Sequence, residues 1–112
     1  TTEDAFYNFF VKKDIKIDYL HIDADHTYEG CKLDFDLYST IMNENGIISI
    51  HDTDSRYWDT FETYEDEPHD TCYGPSDFIK EIPNEWQKFD LFDYRDKSEK
   101  VSSSGLTILR RI

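Results

Sequence analysis

IDYLHIDADHTYEG, from Ile17 to Gly30, joins an apolar strand pattern directly to acidic residues and a histidine. The β-branched and aromatic residues as far as Ile22 are interrupted only by Asp18 and His21. Such a nearly continuous apolar run predicts an interior strand of a parallel sheet, covered on both faces. Because this strand ends abruptly in titratable side chains, we expect chemistry at its carboxyl end.

A helix pattern separates this strand from a second one. Apolar residues recur at spacings of three and four between Tyr28 and Asn43, and Thr27 is placed to cap the helix. Asn45-Gly46 predicts a left-handed turn before a strand over residues 47–50. Strand, helix and strand make a βαβ unit, which predicts a parallel pair in an α/β fold.

The remaining elements are shorter. Residues 2–11 predict an amphipathic helix, and the acidic segment 52–75 predicts a long binding loop in which a short helix could form around residues 58–64. Ser76 is a candidate cap for a helix that must end before Pro83. Trp86 to Tyr94 and Leu106 to Ile112 predict an antiparallel pair at the sheet edge.

The second strand also ends in polar residues, His51 and Asp52. Since the carboxyl ends of neighbouring parallel strands line one crevice, we expect these side chains to face the same pocket as Asp23 and His26. One acid of the first strand end can instead cap the following helix, and we assign that role to Asp25 because it lies nearest to the helix start. Asp23 is then the candidate base or ligand.

Two readings of these strand ends stay open. Asp23, His51 and Asp52 together offer one nitrogen and several carboxylate oxygens, a mixture suited to Mg²⁺ or Mn²⁺. Alternatively, they form a hydrogen-bonded strand end without a metal. His26 is a candidate general base, a metal ligand, or a donor that orders the loop. His21, inside the strand, is expected to be a structural histidine.

Composition limits the class of partner. The formal net charge of -13 and the absence of a clustered basic face exclude a nucleic-acid footprint and attraction to anionic membranes. No apolar run approaches the ~20 residues of a membrane span. Two cysteines form neither a disulfide framework nor a metal knuckle and favour a reducing, cytoplasmic setting. We therefore expect a single domain, residues 1–112, that binds a small molecule or a protein.

The segments Ile17 to Gly30 and Asn45 to Thr53, with Asp34 between them, resemble the second half of class I S-adenosylmethionine (SAM)-dependent methyltransferases. The branch they are most similar to is that of small-molecule and sugar O-methyltransferases, with the pattern I-D-x-D-H-x-Y-E-G followed by G-G-x-x-x-x-H-D. The resemblance covers most of the chain. It implies a partial Rossmann-like sheet, strands 4 to 7 of that fold, in a single incomplete domain.

The resemblance also implies roles for individual residues. Asp23 would lie at the active site as a base or metal ligand that helps to deprotonate the acceptor hydroxyl, with His26 assisting. His51 and Asp52 would complete an optional Mg²⁺ or Mn²⁺ site, although several metal-dependent relatives have two acids or Asp-Asn there. The glycine-rich loop and the acid that hold SAM have no counterpart in this sequence, so the isolated chain is expected to be inactive.

Three functional hypotheses follow. The first is the carboxyl-terminal part of a SAM-dependent O-methyltransferase acting on a small molecule or sugar. The second is a non-catalytic α/β module that forms homo-oligomers through an open sheet edge, which the missing first strands would leave at Ile17 to Ile22. The third, a metal-dependent hydrolase, is disfavoured because neither a second metal cluster nor a glycine-rich phosphate loop accompanies the acids.

Overall fold

A four-stranded mixed sheet organises the computed structural model, which describes residues 1–23, 27–59, 73–93 and 103–112. The spatial order of the strands is β1-β2-β4-β3. β1 and β2 are parallel, whereas β4 is antiparallel to both of its neighbours, β2 and β3. The predicted α/β architecture with one parallel pair and a closing antiparallel pair is therefore confirmed. The strands are β1 (Ile17–Ile22), β2 (Met42–His51), β3 (Trp86–Leu91) and β4 (Leu106–Arg111).

Helix α1 (Thr2–Ala5) precedes β1 and continues as a π-helix over Phe6–Val11. Three short helices lie between the strands: α2 (Tyr28–Tyr38), α3 (Ser55–Asp59) and α4 (Gly74–Ile79). As predicted, the Thr27 hydroxyl caps α2, accepting a hydrogen bond of 3.0 Å from the Gly30 N–H. Ser76 is not a cap, because Gly74 and Pro75 already open α4 and the Ser76 hydroxyl donates to a carbonyl one turn earlier. None of the helices in the described part of the chain has the length and apolarity needed to cross a bilayer.

The predicted turn at Asn45-Gly46 is wrong, because β2 begins earlier and already includes these residues. A single 3₁₀ turn ends the helical segment, and the chain is extended from Met42 onward. The pairing register shifts between Ile17 and Tyr19, where β2 carries extra residues as a bulge. Gly46 is needed for close approach rather than for a turn: a Cβ there would lie 2.6 Å from the Met42 Cε.

One face of the sheet carries the hydrophobic core, and α2 and α4 pack on that face. Phe35 of α2 is central to it, with its ring 5.3 Å from that of Phe78 in α4 and 5.5 Å from that of Trp86 in β3. Edge-to-face and tilted contacts of this kind add to the free energy gained from burying the rings. The buried members of the core are Ile22, Cys31, Phe35, Met42, Ile48, Ile50, Phe78, Ile79, Trp86 and Leu109.

The opposite face of the sheet carries several exposed apolar side chains among the described residues. Tyr19 of β1 is 61% exposed, Ile47 of β2 38%, and Phe89 and Leu91 of β3 48% and 54%. Residues paired across neighbouring strands share a face, and alternate residues of one strand do the same, so these four side chains form one surface. We call it the open face. The prediction that β1 is interior and covered on both sides is wrong here, because β1 lies at the edge of the described sheet.

Candidate active site

Three side chains converge at the carboxyl end of the parallel pair. Asp23 directly follows β1, His51 ends β2, and Asp52 comes next. The His51 Nδ1 lies 3.2 Å from the Asp23 Oδ1 and 3.0 Å from the Asp52 Oδ1. One donor atom from each residue lies within 4.8 Å of the others, and no second group of this kind occurs in the ranges that the structure describes. We call these residues the triad; their chemical roles stay predictions.

The position of the His51 Nδ1 is informative because this nitrogen is buried without a hydrogen-bond partner. Both carboxylates are close enough for an ion pair, yet neither contact has hydrogen-bond geometry. Leaving a buried polar atom unsatisfied is costly. A divalent cation would remove this cost: a metal–ligand distance of ~2.1 Å puts adjacent octahedral ligands about 3 Å apart, close to the separations seen here. The donor set therefore fits a small divalent ion.

The three side chains of the triad differ in their exposure to solvent. The Asp52 side chain is 7% exposed, whereas those of Asp23 and His51 are 46% and 41% exposed. A ligand can therefore approach past Asp23 and His51, with Asp52 forming the floor of the site. A buried carboxylate requires compensating polar contacts, and the Asp52 Oδ1 has one such contact with the His51 Nδ1 at 3.0 Å.

Asp52 also has an unusual backbone conformation, with φ of +63°. Outside glycine, such left-handed residues cost about 1 kcal/mol or more and persist where the surroundings hold them in place. The Asp52 N–H donates to the Gly105 carbonyl at 3.0 Å, which ties it to the turn before β4. The conformation directs the carboxylate of Asp52 back toward His51, the residue that precedes it.

A fourth residue, His21, lies next to the triad. The His21 Nε2 is 3.9 Å from the Asp23 Oδ2, and the His21 Nδ1 is 2.6 Å from the Ser49 Oγ, which also lies 2.7 Å from the Tyr19 hydroxyl. The sequence predicts a structural histidine at position 21; the hydrogen bond of His21 to Ser49 fits such a role, but its side chain is 41% exposed and does not belong to the core. Its place beside Asp23 was missed, although strand periodicity puts residues 21 and 23 on one face.

The other proposed site residues lie outside the described residues. These are His26, the candidate assistant to Asp23, and Asp25, the candidate helix cap. Thr27 performs the capping of α2. The structure therefore brings together Asp23, His51 and Asp52 from the sequence-based set and leaves the part assigned to His26 as a prediction.

Comparison with known proteins supports the fold that carries these residues. A family model described as a methyltransferase domain matches residues 1–53, a match that ends just after the triad. A solved structure, a Staphylococcus aureus protein provisionally assigned as a caffeoyl-CoA O-methyltransferase, superposes with a TM-score of 0.72 at 14% sequence identity. The chain has a class I SAM-dependent O-methyltransferase-like fold. No curated protein matches the sequence.

The extent of the match is uneven between the two structures. The superposition covers 100% of this chain but 49% of the Staphylococcus aureus chain. This chain therefore spans about half the length of its structural relative. At this level of identity the likeness establishes the methyltransferase-like fold, and the chemistry has to be argued from the triad itself.

Proposed function

We propose that this chain is the carboxyl-terminal part of a SAM-dependent O-methyltransferase that acts on a hydroxyl group of a small molecule or sugar. We further propose that Asp23, His51 and Asp52 hold a divalent cation, Mg²⁺ or Mn²⁺, at its active site. The observation that carries the proposal is the unsatisfied His51 Nδ1 between two carboxylates at the carboxyl ends of β1 and β2. In open α/β sheets, that edge is where ligands bind.

The triad residues differ in exposure, and we assign them different roles in the reaction accordingly. When bound, the ion supplies positive charge that favours the deprotonated form of the acceptor hydroxyl. Asp52, nearly buried, is placed to hold the site together, and Asp23, about half exposed, is placed to meet the acceptor. In the transfer itself, the acceptor oxygen forms a bond to the methyl carbon as the bond from that carbon to the SAM sulfur breaks, and the hydroxyl proton passes to a base. Asp23 is our candidate for that base, with His26 assisting.

The SAM site itself is proposed to lie outside this chain. The four glycines, at positions 30, 46, 74 and 105, do not form the closely spaced loop that cradles a nucleotide cofactor. The structural relative is about twice as long as this chain, and a domain of that length has room for a SAM-binding half. We also propose a cytoplasmic location, since two cysteines in 112 residues make no disulfide framework of the kind that oxidising compartments favour.

Manganese binding tests the metal site on the chain as it stands. In an electron paramagnetic resonance titration, the wild-type chain should bind one Mn²⁺, and His51→Gln and Asp52→Asn should each weaken binding at least roughly tenfold. Asp77→Asn is the matched control, because Asp77 lies in an exposed pair with Lys80. If the triad variants bind Mn²⁺ as tightly as Asp77→Asn does, the metal site is refuted.

Cofactor binding tests the methyltransferase assignment separately. The protein to use is the complete translation product of the reading frame that contains this chain. Isothermal titration with SAM should show binding at a single site, and S-adenosylhomocysteine should compete for it. Absence of SAM binding in a folded complete product would refute the methyltransferase assignment, whatever the Mn²⁺ titration shows.

A second candidate function has its own structural support. β1 lies at the edge of the described sheet, with Tyr19 61% exposed, and unpaired strand edges favour pairing with another chain. A non-catalytic module that dimerises through β1 would use this edge. Sedimentation velocity distinguishes the two: a concentration-dependent dimer supports the module, and a strict monomer counts against it.

A further inference from the structure

The segment directly after the triad, residues 52–54, is held by backbone hydrogen bonds to the turn before β4. The Asp52 N–H donates to the Gly105 carbonyl at 3.0 Å, and the Asp54 N–H donates to the Ser104 carbonyl at 2.9 Å. The two chain segments approach so closely that a Cβ at Gly105 would lie 2.7 Å from the Asp54 Cβ. This turn therefore holds the segment that carries the Asp52 carboxylate.

An ion pair between the buried Asp54 carboxylate and the partly exposed Arg56 guanidinium also holds this segment. The Asp54 side chain is 3% exposed and accepts two hydrogen bonds from the Arg56 guanidinium, from Nε at 3.0 Å and from Nη2 at 2.7 Å. The Arg56 backbone N–H donates to the same carboxylate at 3.1 Å. The Arg56 Nη2 also donates to the Asp93 carbonyl at 2.6 Å, just beyond β3. The hydrogen bonds that the guanidinium donates to Asp54 raise the pKa of Arg56, so the guanidinium stays charged.

Stability alone is a weak explanation for this pair. Burying the Asp54 carboxylate costs desolvation free energy, which offsets much of its attraction to the partly exposed Arg56. The pair has a geometric effect: Arg56 links Asp54, in the segment that follows β2, to the Asp93 carbonyl, just beyond β3. That segment contains Asp52, whose left-handed backbone is disfavoured outside glycine and is stabilised by contacts that hold it.

We propose that Asp54 and Arg56 are positioning residues that hold Asp52 in its left-handed conformation and so keep its carboxylate against His51. The proposal extends the proposed function from the triad to the groups that orient it, and its metal-binding part rests on that function. Groups that orient metal ligands commonly matter to affinity nearly as much as the ligands themselves. Asp54 and Arg56 would act on the triad indirectly, through the backbone of residues 52–54.

Amide hydrogen exchange tests the positioning role without any metal. Arg56→Gln should lower the protection of the Asp52 and Asp54 amides roughly tenfold or more, because local opening of the segment becomes easier. The amides of Ile48 and Ile50, in the centre of β2, should keep their protection and report that the sheet is intact. Arg110→Gln is the matched control, since Arg110 is exposed and its Nη2 donates to the side chain of Gln87.

Manganese affinity then tests whether Asp54 and Arg56 affect metal binding by the triad. Arg56→Gln should weaken Mn²⁺ binding roughly tenfold, in the range seen for residues that orient metal ligands. Arg56→Lys keeps the positive charge but not the two parallel hydrogen bonds of the guanidinium, so it should retain part of the Mn²⁺ affinity that Arg56→Gln loses. In the Asp52→Ala background, adding Arg56→Gln should leave the affinity unchanged, because the residue through which Arg56 acts is gone.

Unchanged protection of the Asp52 and Asp54 amides in Arg56→Gln overturns the inference. Lost protection combined with wild-type Mn²⁺ affinity also overturns it, since the segment would then move without consequence for the triad. If the wild-type chain binds no Mn²⁺, the proposed metal site fails, and hydrogen exchange alone decides whether the pair holds the Asp52 backbone. If Arg56→Gln does not fold, Arg56→Lys replaces it in both measurements, with the same two outcomes against the inference.

Discussion

Replacing Gly105 by alanine should destabilise the protein more than any other single-methyl addition at a described glycine. Gly105 has a φ of +86°, in the region that side chains other than glycine avoid. An added Cβ would also lie 2.7 Å from the Asp54 Cβ and 2.9 Å from the Asp54 backbone nitrogen. Both contacts are with backbone or backbone-attached atoms, which cannot rotate away.

The magnitude follows from these two costs. The left-handed conformation costs about 1–2 kcal/mol for a non-glycine residue. Overpacking against an immobile neighbour adds about 1–3 kcal/mol. Together they predict a loss of about 2–5 kcal/mol, a large part of the 5–15 kcal/mol that stabilises a typical domain. Urea unfolding followed by far-UV circular dichroism measures this loss as a lower midpoint at an unchanged slope.

Gly46→Ala is the matched control. Its added Cβ would meet the Met42 Cε at 2.6 Å, but this atom ends a flexible side chain, and Gly46 has no positive φ. We expect a loss of about 1–2 kcal/mol, part of it from the Asn43 carbonyl oxygen at 3.0 Å. The reasoning is refuted if Gly105→Ala stays within about 0.5 kcal/mol of the wild type, or if Gly46→Ala proves the more destabilising of the two.

Two further predictions concern α2. Thr27→Ala should lower the free energy of unfolding by about 1 kcal/mol, because the Gly30 N–H loses its cap, and Thr27→Ser should retain most of it, as urea unfolding would show. The Tyr28 hydroxyl donates to the Glu81 carboxylate, and this hydrogen bond raises the pKa of Tyr28. Its contribution is complete below the unfolded tyrosine pKa of about 10 and is lost as the pH rises through the folded value. A ¹³C NMR titration of the Tyr28 ring should show a midpoint that moves down in Glu81→Gln; an unmoved midpoint would exclude this hydrogen bond as the cause.

Much of the fold was predictable because its signals are local. The strand at Ile17–Ile22 and the helix from Tyr28 follow from side-chain periodicity, and the Thr27 cap follows from the residue types that accept hydrogen bonds at helix starts. The convergence of residues 23 and 52 was expected for a more general reason. Parallel strands place their carboxyl ends together, whatever the detailed packing.

The features that were missed depend on contacts distant in sequence. Gly46 was interpreted as a turn residue because Asn-Gly usually is one, but strand pairing across a bulge determined its conformation. Asp54 and Arg56 gave no signal, since an acid and a base two residues apart occur in any charged loop. Only the folded structure shows that Asp54 is buried and that Arg56 reaches the Asp93 carbonyl. Left-handed Asp52 was equally invisible to a pattern of apolar and polar residues.

Two opposing forces act between molecules that meet through the open face. The face exposes aromatic and aliphatic side chains that favour contact with another apolar surface, including the same face on another molecule. These side chains are Tyr19, Ile47, Phe89 and Leu91. The net charge of -13 pushes such molecules apart over a distance of about 8 Å at physiological ionic strength. Salt screens the charge repulsion and does not weaken the apolar attraction. Self-association of this chain should therefore increase with ionic strength.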